Sequence, residues 1–105
     1  MFKRILVPIR LDKEAFDAIA AVDELIGRSA CSVTLLHVIE TIEHIEFDEL
    51  KPLYTKLERK AIRFMAGALK RLTAPRARVQ QVVIFGKRAS AILEYARQAN
   101  SDLIV

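Results

Sequence analysis

The sequence predicts an α/β fold built on a doubly wound parallel sheet. Two features carry this. Short apolar blocks rich in β-branched residues alternate down the chain with longer stretches of three- and four-residue apolar spacing. No segment rich in Gly, Ser or Pro divides the 105 residues into two units, and that length suits one core burying roughly 65% of the unfolded surface. Strands separated by helices in this order form parallel βαβ units, and right-handed crossovers then place helices on both faces of the sheet.

The elements follow in order. Residues 4–9 read as the first strand, and Asp12 is placed to cap a helix. That helix puts Ala15, Phe16, Ile19, Val22 and Ile26 on one face before Gly27 stops it. "CSVTLLHVI" is the second strand, followed by the acidic loop "ETIEHIEFDE". A long helix then carries Leu50, Leu53, Leu57, Ala61, Phe64, Ala68 and Leu72, with Pro52 in its first turn, until "TAPRA" ends it. Residues 79–85 form a third strand, and Gly86 turns the chain. Ser90 is placed to cap a helix bearing Ile92, Leu93, Ala96 and Ala99, and "DLIV" opens a fourth strand.

Composition excludes several classes. About half the residues are apolar and 29% are charged, a globular balance. No apolar run approaches the roughly 20 residues of a membrane helix, and "MFKRILVPIR" lacks a secretory core and cleavage site, so a soluble, cytoplasmic protein is expected. The lone Cys31 reads as a small buried hydrophobe.

"KRILVPI" with its short polar loop and alanine-rich helix, "VTLLHVIE", "VVIFGKRASAILEYA" and "SDLIV" together resemble the universal stress proteins, in the right order over essentially the whole chain. The resemblance implies an adenine-nucleotide-hydrolase-like sheet of five strands, of which four are present here, that dimerises through its last strand. In one branch it implies ATP binding, with an Asp at the mouth of strand one, an apolar residue after the strand-two His against adenine, and a glycine motif after strand four for the phosphates. Arg10 stands in place of that Asp, Val38 suits the adenine position, and the sequence ends at Val105 with no glycine motif. The expectation is therefore one universal stress domain over residues 1–105, C-terminally incomplete, or else completed by a partner chain. Pro8, Ile9, Arg10 and Val38 form the candidate nucleotide crevice.

A carboxylate accepts hydrogen bonds from ribose hydroxyls, whereas Arg only donates, so Arg10 should weaken nucleotide recognition. Arg10 has two readings: a guanidinium that attracts an anion, or, the favoured one, a solvated cation paired with Asp12 or Glu14. Gly27, Gly67 and Gly86 form no phosphate fingerprint. Lys87 and Arg88 after Gly86 offer donors to an anion, although a plain turn and cap is preferred there. His37 and His44 lack metal-ligand spacing; His37 is expected to be a hydrogen-bonded strand residue near the sheet edge.

Residues 40–49 carry five acidic groups, and residues 56–78 carry eight basic ones against Glu58, which gives the long helix a basic outer surface. A solvated face is the favoured reading, and nucleic acid is not an expected partner at a net charge of +4. No nucleophile–base pair or paired-carboxylate set stands out, so the chain is expected not to be an enzyme. The leading expectation is a domain acting through association or regulatory binding in a stress response, as a homodimer, with no certain cofactor. The alternative is an ATP- or AMP-binding switch whose phosphate loop lies beyond Val105.

Overall fold

A computed structural model describes residues 2–105. Arg4–Pro8 form β1, Glu14–Ile26 α1, Cys31–Glu40 β2, Lys51–Leu69 α2, Ala77–Gly86 β3, Arg88–Gln98 α3 and Leu103–Ile104 β4. A single 3₁₀ turn, Phe47–Leu50, precedes α2. The four strands form one sheet in the order β3-β2-β1-β4, and every pair is parallel. The chain winds outward from β1 to β3, then crosses back over β1 to β4, which is the doubly wound α/β arrangement that the alternating blocks predict.

Reversing the winding direction reverses the face on which a right-handed crossover lies. One apolar cluster joins Ile5 and Val7 of β1 and Val33 and Leu35 of β2 to Ile19 and Val22 of α1 and Met65 and Ala68 of α2. A smaller one on the opposite face joins Leu6, Leu36 and Val38 to Ala96, with Ile92 and Tyr95 packed against it. Alternate residues of β1 thus enter different layers, and Ile5, Leu6 and Val7 are all buried.

Several boundaries differ from the sequence reading for local reasons. β1 ends at Pro8, although the Ile9 amide still donates to the Leu36 carbonyl at 2.8 Å. β3 is longer than expected because it pairs with β2 along its whole length, from Cys31↔Ala77 to Glu40↔Gly86. α2 ends at Leu69, where the next three amides tighten to carbonyls three residues back, at 3.3, 3.0 and 3.0 Å. Its buried stripe is Tyr54, Ala61, Met65 and Ala68, while Leu53 is exposed. Tyr54 takes the inward position because its hydroxyl finds a partner there, accepting from the Ile42 amide at 3.0 Å.

Pro52 does lie in the first turn, and Gly27, at φ 55°, closes α1 with its amide on the Asp23 carbonyl. Asp12 accepts from the Glu14 amide at 3.0 Å, although Lys13 occupies the N-cap position. Ser90 is not the cap of α3. Lys87 holds that position, and the Ser90 hydroxyl lies inside the first turn, donating back to the Lys87 carbonyl at 3.4 Å. Leu93 is exposed, and Tyr95 packs inward in its place.

Two carboxylates tie the layers at the end of the sheet where the strands begin. Asp102 accepts from the amides of Lys3 and Arg4 at 2.9 and 3.0 Å, which fixes β4 beside β1. Asp23 of α1 accepts from the Thr73 hydroxyl at 2.6 Å and from the Thr73 and Ala74 amides at 2.8 and 2.7 Å, which holds the exit of α2 against α1. The Thr73 hydroxyl lowers the Asp23 pKa, slight burial opposes it, and the two amides add to the lowering.

A carboxylate whose folded-state pKa is depressed contributes stability that is present above its unfolded value, about 3.9, and lost as pH falls through the folded value. Asp23→Ala is expected to destabilise the fold by about 1 kcal/mol in urea titrations at neutral pH, the worth of a partly solvated cap. The difference between variant and parent should shrink when the titration is repeated in acid. An equal difference at both pH values would contradict this role.

Candidate functional site

In a doubly wound sheet, the carboxyl ends of the strands where the winding reverses border a crevice. Here the tip of β1 stands at that crevice. A cavity of about 110 Å³ on the α3 side is lined by Pro8, Ile9 and Arg10 at the end of β1, Leu36 and Val38 of β2, and Arg88 and Ile92 of α3. All four residues singled out in the sequence therefore meet in one place. A second cavity of about 150 Å³, on the α1 side, shares Pro8, Ile9 and Arg10 and adds Glu14, Ala15 and Ala18. The β1 tip thus stands between two small spaces.

Two hydrogen bonds from β2 fix that tip. The Ile9 amide donates to the Leu36 carbonyl at 2.8 Å, and the Ile9 carbonyl lies 3.0 Å from Nδ1 of His37. A carbonyl only accepts, so Nδ1 carries the proton. His37 is hydrogen-bonded, as the sequence suggests, but it sits on an interior strand and not near the sheet edge, because β2 lies between β3 and β1. Its task is to position the residue next to Arg10.

The cations around the crevice meet carboxylates at the surface. Arg10 Nε lies 3.5 Å from Asp12, Arg88 Nε 3.7 Å from Glu40, and Lys87 Nζ 2.7 Å from Glu43. These pairs are exposed, and pairs of this kind contribute little stability. The partner of Arg10 is Asp12, one of the two acids its sequence context offered. The segment carrying Glu43 is anchored by aromatic contacts: Phe47 stacks on Tyr54 with ring centroids 4.8 Å apart and meets Phe85 edge-on at 5.3 Å. This cluster was not legible beforehand, since its members come from three separate elements. Arg88, which the sequence offers as a donor beside Gly86, lines the cavity as the first residue of α3.

Elsewhere, Lys51, Lys56, Arg59 and Arg63 line an open groove of about 600 Å³ on the outer side of α2, which is the basic face that the charge distribution predicts. Cys31 is buried, and burial followed by the nearby Asp102 charge pushes its thiol pKa up. Among the described residues, no helix is long and apolar enough to cross a membrane.

A four-stranded parallel sheet wound both ways from β1, with an apolar and cationic crevice at the β1 tip, defines an α/β domain of the adenine-nucleotide-hydrolase-like fold. The family model described as the universal stress protein family matches residues 1–105, and the chain belongs to that family. It is similar to the hypothetical protein MJ0577, the subject of a structure-based assignment of biochemical function, at 28% identity and a TM-score of 0.86, covering 100% of this chain and 74% of that one. It is also similar to the hypothetical protein PH0823, at 29% identity and a TM-score of 0.72, covering 99% and 74%. A universal stress protein in complex with cAMP shares the fold at 15% identity and a TM-score of 0.66, covering 98% and 70%. No curated protein matches the sequence.

His37→Phe removes the donor to the Ile9 carbonyl while keeping a ring on β2. It is expected to destabilise the fold by roughly 1 kcal/mol, the net worth of one hydrogen bond. It should also speed amide hydrogen exchange at the β1 tip while leaving that of α1 unchanged. Unaltered exchange at Ile9 and Arg10 would remove the positioning role.

Proposed function

We propose that this chain is a cytoplasmic regulatory binding domain of the universal stress type, which works by association and not by turnover, and whose β1-tip crevice holds ATP only weakly. The observation that carries this reading is the crevice itself. Its α3-side cavity is about 110 Å³, against the roughly 300–1,000 Å³ common for small-molecule sites. The side chains lining it are apolar groups and two guanidiniums, and a guanidinium donates hydrogen bonds but neither accepts them nor takes up a proton. Ribose hydroxyls find no side-chain acceptor in that lining.

A second reading is favoured by one finding. A universal stress protein of the same fold is in complex with cAMP. By analogy, this crevice would serve an adenine-nucleotide switch responding to ATP, AMP or a cyclic nucleotide. For association, the support is that the outer strands β3 and β4 each pair on one side only within this chain. Free strand edges are where a second copy pairs. A homodimer is the form proposed.

Isothermal titration with ATP and magnesium is expected to show no saturation in the micromolar range, and Arg10→Asp to tighten ATP binding by at least about tenfold, or 1.4 kcal/mol. Micromolar binding by the parent protein, unchanged in Arg10→Asp, would overturn the leading reading. Light scattering across a concentration series should show a dimer, and a species that stays monomeric throughout would remove the association proposal.

A further inference from the structure

We propose that the α3-side cavity at the β1 tip is a site for a compact amphipathic organic anion: a ring or branched alkyl group no larger than about six carbons, bearing one carboxylate or phosphate. The inference rests on the reading of this crevice as a binding site too small for ATP, and it names the ligand class that the same walls do fit.

The lining divides by chemistry into a floor and a rim. Pro8, Leu36, Val38 and Ile92 supply apolar surface, Ile9 borders it while its side chain packs into the core on the α1 side, and Arg10 and Arg88 supply the polar groups. Val38 is 4% exposed and Leu36 is fully buried, so this part of the lining is a fixed wall continuous with the α3-side core. An apolar cavity of roughly 150 Å³ stays dry and accepts benzene. A space of about 110 Å³ is of the same order and is open at its mouth. It suits the body of a small ring or a short branched chain.

The rim sets the charge. Two guanidiniums border the one cavity, and no carboxylate contributes to its lining. Their partners are Asp12 and Glu40, at 3.5 and 3.7 Å, distances longer than the 2.7–2.9 Å of a charge-assisted hydrogen bond. Both guanidiniums are more than half exposed, at 69% and 54%, which leaves donors free. An anionic group at the mouth gains hydrogen bonds from planar forks suited to carboxylate and phosphate alike. The apolar body displaces water from Pro8 and Ile92, the half-buried apolar members of the lining. The donor half of a ribose hydroxyl goes unmet by the side chains of this lining, whereas a compact anion needs only donors.

The probes are phenyl phosphate, benzoate, inorganic phosphate and the neutral analogue benzyl alcohol, each titrated into the full chain and followed by amide and methyl NMR shifts. Phenyl phosphate or benzoate is expected to shift Ile9, Val38 and Ile92 together and to bind at least about tenfold more tightly than inorganic phosphate or benzyl alcohol. The two anionic arms distinguish a phosphate from a carboxylate ligand. Arg88→Gln and Arg10→Gln should each weaken the anionic probes by about tenfold or more, and Arg88→Lys should restore part of that loss. Both arginines are exposed, so the variants should fold, and the untitrated spectra check this. Equal binding of the neutral and anionic probes, binding unaffected by both Gln variants, or no shift at these three residues would overturn the proposal. Micromolar ATP binding in the same tubes would instead overturn the reading on which it rests.

Discussion

The fold depends on β1 being apolar on both faces. Ile5 and Val7 lie in one layer and Leu6 in the other, and a strand buried in this way is stable only if helices cover it from both sides. Covering both sides requires the chain to wind in both directions, since each right-handed crossover serves only the face set by its direction. The reversal of winding beside β1 is the consequence, and the crevice at the β1 tip follows from that reversal. The crevice is therefore a by-product of how an apolar strand is buried on both faces.

Polar contacts fix what apolar burial leaves loose. β4 is only two residues long, and Asp102 beside it accepts two consecutive amides at the start of β1, which holds its register. The Lys3 amide first, then that of Arg4, lowers its pKa. Asp23 acts similarly at the exit of α2, and the paired hydrogen bonds of Ile9 to Leu36 and His37 act at the opposite end of the sheet. Each satisfies backbone groups where regular structure stops, the places at which a layered fold is otherwise free to fray.

At the crevice, shape and charge have separate sources. Leu36 and Val38 of β2 and Ile92 of α3 give it an apolar wall, while the polar side chains of the lining, Arg10 and Arg88, are both hydrogen-bond donors. The winding of the sheet fixes the position of this crevice, whereas its charge is set by the two arginines that border it. The acidic segment before α2, pinned by Phe47, Tyr54 and Phe85, places Glu43 on Lys87 and so tempers the cationic side without entering the cavity lining.

The strand–helix order, the parallel sheet and the place of Arg10 at the crevice were legible in the sequence, because apolar periodicity reports local burial and a doubly wound topology leaves few places for strand ends; Val38 entered through the resemblance to the universal stress proteins, and the structure lines one cavity with it and Pro8, Ile9 and Arg10. The same periodicity misplaced Leu53 and Leu93, where Tyr54 and Tyr95 pack inward in their stead, because a helix face is chosen by its neighbours and not by hydrophobicity alone. It also misplaced the cap of α3, which depends on where Gly86 leaves the sheet. Only the tertiary structure brought Arg88 and Ile92 from beyond β3 to the wall opposite Val38, joined Asp23 to Thr73 across 50 residues, and put His37 against Ile9. The sequence by itself determined which segments had to be buried. Which side chains then faced one another was decided by the crossovers, since contacts between residues distant in the chain arise from how the layers dock.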